Sequence, residues 1–260
     1  MTDFETISFT LESGGVARVT LNRPARHNAL NALMIAELTQ AARRIEADPA
    51  ARVVVLAGEG KSFCAGADLD WMKQQCAASP EERMLQATRL SHMLRCIDEL
   101  PQFVVGVIAG AAYGGGVGLA SVCDITIADP GVLFALTETK LGLIPATIAP
   151  FLHRRIGGAA MRRLALHGER FGAAEAKAVG LVSHIAGEGE LAVLTERHIV
   201  QALACAPGAI ADAKRLFRRI AFGLAGEEET IDALVRRWST EEARAGLGAF
   251  FSKDKAPWQM

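Results

Sequence analysis

The chain has 260 residues and a formal net charge of −1; half of its residues are hydrophobic and 22% are charged. That length can bury a large core, and the near-neutral balance counts against a nucleic-acid binder driven by a basic surface. No run of about eighteen apolar residues occurs, so no membrane span is expected.

The N-terminal stretch Met1–Thr6 carries acids, with neither an apolar run nor an Arg-rich amphipathic pattern. The cysteines Cys64, Cys76, Cys96, Cys123 and Cys205 form no CxxC pair and no metal spacing. Together these features predict reduced thiols, no metal site and a cytoplasmic location.

In chain order, strands are expected at Thr6–Leu11 and Val16–Leu21, joined by a turn at Ser13-Gly14-Gly15. Apolar residues at helical spacing, from Leu30 to Ile45, predict a helix over Asn28–Ala47, stopped by Asp48-Pro49. A strand follows at 52–57, then a loop and a polar stretch, Lys73–Ser79. Ser79-Pro80-Glu81-Glu82 combines a cap, a first-turn proline and acids, and predicts a helix running to about Ile97. Another strand is expected at 103–109, one more at Ile125–Ala128, and helices from Pro207 onward, broken at Gly223–Gly226. Strands alternating with helices indicate an α/β protein.

Gly114-Gly115-Gly116-Val117-Gly118 sits between the strand at 103–109 and an apolar helix-like segment, Leu119–Cys123. Glycines there permit close helix–strand packing, or they let a ligand approach outward-pointing N–H groups. Neither a P-loop ending nor a dinucleotide-binding fingerprint is present. A second strand exit, Ala65-Gly66-Ala67, again offers small residues. Two such exits can hold one carbonyl oxygen from two sides.

With these segments, the chain resembles the crotonase superfamily of enoyl-CoA hydratases and isomerases. The resemblance rests on Asn22–Leu30, Phe63–Leu69, Gly114–Gly116, Cys123–Ile125, Thr137-Glu138 and Leu141–Pro145, in the family's order. It implies a spiral of ββα turns over residues 1–200, with a C-terminal helical trimerisation region over 201–260. It also implies an acyl-CoA substrate, no cofactor beyond the CoA that the substrate carries, and a trimer or dimer of trimers.

By the same resemblance, the backbone N–H groups of Ala67 and Gly115 form an oxyanion hole, and Glu138 is the catalytic acid/base. A carboxylate between apolar stretches has a raised pKa suited to that work, although a solvated pair with Lys140 is the plainer reading of Glu138. Substrate contacts are expected from Ala65, Asp68, Leu69 and Gly118, with Arg26 and Lys253 near the CoA phosphates. Arg23, His27, Lys61 and Lys255 are further basic candidates there.

The commonest hydratases carry a second glutamate where this chain has Gly118. Hydration by Glu138 alone, or allylic isomerisation with Glu138 as sole base, both fit that departure. Asp70-Trp71-Met72 and Ile144–Pro150 resemble the methylglutaconyl-CoA hydratases of leucine breakdown and the isohexenylglutaconyl-CoA hydratases. Their acyl groups end in a carboxylate, for which His153, Arg154 and Arg155 are candidate partners, or else a basic helix face. An RNA-binding role, known for one hydratase-like relative, is disfavoured by the neutral charge and by a content of one Tyr and three Trp. Cys64 has no apparent histidine and acid beside it and reads as packing; His92, His167, His184 and His198 read as structural or solvated.

Overall fold

The structure, a computed structural model, describes residues 4–259, so Met1–Asp3 of the acidic N-terminal stretch lie outside it. Strands β1 (Ile7–Leu11) and β2 (Val16–Leu21) form a hairpin, followed by helix α1 (Ala32–Ala47). Three ββ units come next: β3 (Val53–Gly58) with β4 (Ser62–Cys64), β5 (Phe103–Ile108) with β6 (Ala111–Tyr113), and β7 (Ile125–Ala128) with β8 (Leu133–Ala135). Helices α2 (Leu69–Ala77) and α3 (Pro80–Asp98) follow the first unit. Helix α4 (Gly115–Ser121) follows the second, and α5 (Ala149–His167) the third. Then come β9 (Arg170–Gly172), α6 (Ala173–Ala178), β10 (His184–Ile185), α7 (Leu191–Leu203), α8 (Pro207–Ala221), α9 (Glu227–Trp238) and α10 (Glu241–Ser252).

Each ββ unit gives its first strand to one sheet and its second to another. The large sheet runs β1-β2-β3-β5-β7-β10, parallel beyond the first hairpin. The small sheet runs β4-β6-β8-β9, with β4, β6 and β8 parallel. This is the α/β spiral of ββα turns that the resemblance implied.

The large sheet is covered on both faces, which explains apolar runs such as Val53–Leu56. Val54 and Leu56 join the main core with Leu38 of α1 and Leu94 of α3. Val53 and Val55 alternate to the other face and pack with Ile199 of α7.

Two boundaries differ from expectation. Helix α1 begins at Ala32, capped by Asn31 accepting from the Met34 N–H, not at Asn28. Asn28 is buried at φ 54° and works as a bracket. It accepts from the Arg23 N–H and donates to the carbonyls of Glu59 and Ser62. The polar stretch after Lys73 is largely helix, because Asp68 caps α2 through the Asp70 and Trp71 N–H groups. The expected start of α3 holds, as a capping box between Ser79 and Glu82.

Helices α8–α10 have no buried residue, and Phe217, Trp238, Phe250 and Phe251 are exposed. They are tied to the spiral by Lys214, which reaches Asp124 and the Gln102 carbonyl, and by Arg218, which donates to the Asp98 carbonyl.

Candidate active site

The strands β4, β6 and β8 lie side by side and point the same way. Their C-terminal ends therefore open at one edge of the small sheet, where open parallel sheets place ligands. From β4 the chain passes to Ala65-Gly66-Ala67, from β6 to Gly114-Gly115, and from β8 to Thr137-Glu138. All of these residues line one cavity of about 640 Å³.

The first exit is fixed by Leu30, which runs alongside it as a short parallel bridge to Ala67. The Leu30 N–H donates to the Gly66 carbonyl at 2.7 Å, and its carbonyl accepts from the Asp68 N–H at 2.9 Å. The Ala65 N–H donates to the His27 carbonyl. Among the described residues, nothing accepts from the Ala67 N–H.

At the second exit, the Gly114 N–H donates to the Ala135 carbonyl and the Gly118 N–H to the Gly114 carbonyl. The N–H of Gly115, the first residue of α4, is again without an acceptor among the described residues. Unused N–H groups at a helix start favour an anion or a polarised oxygen. The two donors assigned by resemblance are thus unpaired among the described residues, as are the Gly66 and Gly116 N–H groups beside them.

Glycine is required here for two reasons. Gly114 has φ +45°, and a Cβ on it would come within 2.9 Å of Glu138 Oε1. At Gly116 a Cβ would meet the Cys64 carbonyl at 2.3 Å, so the two exits approach only because position 116 has no side chain.

Glu138 starts a one-turn 3₁₀ helix, Glu138–Leu141. Its Oε2 is buried with no hydrogen-bond partner, and no ion pair to Lys140 forms among the described residues. Burial pushes its carboxyl above the usual range, offset in part by its own backbone N–H. The solvated-pair reading of Glu138 therefore does not hold.

Several expected contacts are arranged otherwise. Asp68 is buried and pairs with Arg23 at 2.9 Å while capping α2. Burial alone would raise its carboxyl, but the Trp71 N–H and the Arg23 guanidinium outweigh this and hold it below the usual range. Asp68 is a brace, not a cavity residue. Arg26 pairs with Asp70 at 3.0 Å in the first turn of α2, outside the cavity wall. Lys253 ends α10 at φ +61° and does not line the cavity. Ala65 and Leu69 do line it.

Gly118 is a correction. It is buried inside α4, and a Cβ there would meet Ile148 Cγ2 at 2.5 Å. The space next to it is filled by Ile148, and Ile148, not Gly118, lines the cavity. The trio after Pro150 also turns elsewhere. Arg154 pairs with Asp98, and Arg155 donates to the carbonyls of Cys123, Asp124 and Gly180, locking α5 to the spiral. His153 does not line the cavity.

The cysteines are free, and burial pushes the Cys64 thiol up to about 12, which fits packing and not nucleophilic work. His92 sits between Arg43 and Arg95, and the His184 ring lies tilted against that of His198, with centroids 4.4 Å apart. Sequence reasoning missed Ile148 and Arg83 as cavity residues. Ile148 follows a loop and Arg83 lies in a charged helix, so neither carries a local signal.

A family model described as enoyl-CoA hydratase/isomerase matches residues 12–260. A Thermus thermophilus protein provisionally named an enoyl-CoA hydratase is 35% identical, covering 94% of this chain and 97% of its own. The crystal structure of an enoyl-CoA hydratase from Shewanella pealeana superposes with a TM-score of 0.94 at 34% identity, covering 98% of this chain and 96% of that one. Pseudomonas aeruginosa AtuE superposes with a TM-score of 0.92 at 35% identity, covering 98% and 100%.

Proposed function

Because the chain belongs to the enoyl-CoA hydratase/isomerase family, we propose that it hydrates a 2-enoyl-CoA, with Glu138 moving the protons and the N–H groups of Ala67 and Gly115 holding the thioester oxygen. The observation that carries this reading is their convergence: three adjacent strand ends bring two spare donors and one partly dehydrated carboxylate to a single cavity.

In this reading the thioester oxygen accepts from both N–H groups. Ionised Glu138 takes a proton from water as the water oxygen bonds to C3, and the C2–C3 π electrons move toward the thioester oxygen. The enolate forms where the two donors stabilise it; losing one such donor typically costs about 2.7–4 kcal/mol of barrier. The protonated carboxyl then delivers its proton to C2, which restores the carboxylate and completes the addition of one water. No cofactor is needed. Arg26 and Lys253 are proposed to meet the CoA phosphates, Lys253 from a neighbouring copy in a trimer built through residues 201–260.

Ile148 in the place of a second carboxylate favours one alternative. With Glu138 as sole base, a proton removed from C2 of a 3-enoyl-CoA and returned to C4 would shift the double bond without water. Incubation with crotonyl-CoA, 3-methylglutaconyl-CoA and a 3-enoyl-CoA decides between them. A gain of one water in mass with loss of enoyl absorbance supports hydration. Unchanged mass with a gain of enoyl absorbance from the 3-enoyl ester supports isomerisation.

A further inference from the structure

The cavity wall is mostly apolar, with Trp71, Met72, Leu90, Leu143 and Ile144 contributing. Only two of its lining residues carry a formal charge, Glu138 and Arg83. We propose that Arg83 receives a carboxylate at the far end of the acyl chain, so that the substrate is a carboxyl-terminated 2-enoyl-CoA. This rests on the acyl-CoA reading above and adds the residue that selects the acyl group.

Arg83 is held in place. Its Nε donates to the Gln75 carbonyl at 2.8 Å and its Nη2 to the Cys76 carbonyl at 3.1 Å. These bonds occupy one edge of the guanidinium, whose planar fork has five N–H donors in all. Arg83 is exposed, so its remaining donors are open to solvent or to a ligand at the cavity rim, and among the described residues no carboxylate lies within ion-pairing distance of this side chain. Neighbouring basic groups differ in this respect, because Arg23 pairs with Asp68, Arg26 with Asp70 and Arg154 with Asp98.

Position separates an acyl-end anion from the CoA phosphates. Arg26 is bound at the first turn of α2, through Asp70, and Arg83 at its last turn, through Gln75 and Cys76. At 1.5 Å per residue, those anchors lie about 10 Å along α2 from Leu69 beside the Ala67 exit. The two arginines therefore mark opposite ends of one helix. A thioester seated at Ala67 and Gly115, with its CoA toward the Arg26 end, directs its acyl tail toward Arg83. An apolar wall leading to one pinned cation suits a short hydrocarbon chain that ends in a negative charge.

The test compares binding and turnover for matched esters in the wild type, Arg83→Met and Arg83→Lys. Saturated glutaryl-CoA and butyryl-CoA report binding by calorimetry without any reaction. Glutaconyl-CoA, its longer 2-enedioyl homologues and crotonyl-CoA report kcat/KM. Wild type is expected to prefer the carboxylated ester. Arg83→Met should lose about 10- to 100-fold for it, mainly in KM, with crotonyl-CoA and butyryl-CoA changed less than about twofold. Arg83→Lys should recover part of the loss.

Equal losses on both esters, matched by weaker binding of free CoA, would mean that Arg83 meets the CoA phosphates and overturn the proposal. A lowered Tm with no change in preference would reduce Arg83 to a cap on α2 and overturn it too. A wild type that binds butyryl-CoA as tightly as glutaryl-CoA overturns it without any variant. Because the saturated esters need no turnover, absence of hydration would defeat the proposed reaction while leaving the Arg83 preference measurable.

Discussion

The large sheet and the small sheet use the same chain reversals for different ends. In the large sheet, β3 and β5 are six residues long, covered on both faces, and their side chains make the core. In the small sheet, β4, β6 and β8 are three residues long, and what matters is where each one stops. Long strands supply burial, which is non-directional and tolerant of small shifts. Short parallel strands supply position: three neighbouring ends set Ala67, Gly115 and Glu138 around one cavity. Damage to the first sheet should appear as lost stability and damage to the second as lost chemistry.

The sharpest separation should come from Glu138→Gln. It keeps the shape of the side chain and removes proton transfer, so kcat should fall by about 100- to 10,000-fold while binding of a saturated acyl-CoA is retained. Steady-state kinetics with parallel calorimetry checks this, and a variant keeping most of its kcat would remove Glu138 from the mechanism.

Gly115→Pro should follow. Proline is tolerated at the first helical position but lacks the N–H, so the loss of one donor predicts about a 100- to 1,000-fold fall in kcat. Thermal melts must show that the variant folds. The crowding control is Gly115→Ala, whose Cβ meets only the flexible end of Leu30 at 2.7 Å.

Leu56→Ala in the large sheet is the converse test. Deleting a fully buried leucine should cost about 2–5 kcal/mol of stability in denaturant titrations. The folded fraction should keep its kcat; a large fall in kcat per folded molecule would mean that the two sheets do not divide the work.

A smaller effect is expected at the junction of α4 and α5. Gly118→Glu places its Cβ against Ile148, and overpacking of this kind costs about 1–3 kcal/mol. Ile148→Ala opens that space. The double variant should therefore be more stable than the sum of the single changes predicts, and it should gain hydration of crotonyl-CoA relative to Gly118→Glu alone. Strict additivity would show that residues 118 and 148 do not compete for the same volume.

The smallest effect is the pH dependence set by the raised Glu138 carboxyl. A carboxyl whose folded pKa is raised favours the folded state most below its unfolded pKa, and that contribution is lost as pH rises through the folded value. Ionised Glu138 is thus a cost at neutral and alkaline pH. Glu138→Gln should raise Tm at pH 8, by an amount that shrinks as pH falls through the carboxylate range. In the wild type, the acid limb of kcat/KM should lie above the ordinary glutamate pKa. A limb at the ordinary value, with no gain in Tm, would mean that the carboxyl is hydrated.

How much of this was legible in the chain depends on distance along it. Locally encoded features are legible in the sequence: the helix start at Ser79-Pro80-Glu81-Glu82, the apolar run Val53–Leu56, and the glycine cluster at the start of α4. The motif order also carried the α/β spiral and the family. The three-residue strands of the small sheet escaped, because a strand of that length has no periodicity to detect. So did the late start of α1, where Asn28 gives its side chain to Arg23, Glu59 and Ser62 instead of entering a helix.

The sequence by itself determined which residue types stood at the strand exits and that a carboxylate followed them, since these lie in contiguous segments. Only the tertiary structure decided what surrounds them. Ile148 is thirty residues from Gly118 in the chain, yet it occupies the volume that a side chain at 118 would take. Asp68, a candidate substrate contact by resemblance, is paired with Arg23, and Arg154 and Arg155, candidate carboxylate partners or a basic helix face by sequence, are taken up by Asp98 and the Cys123 carbonyl. Arg83, one charge among several in its helix, stands out only because the fold brings it to the cavity and, among the described residues, it forms no ion pair. Packing and ion pairing join residues far apart in sequence, and composition and spacing register only neighbours.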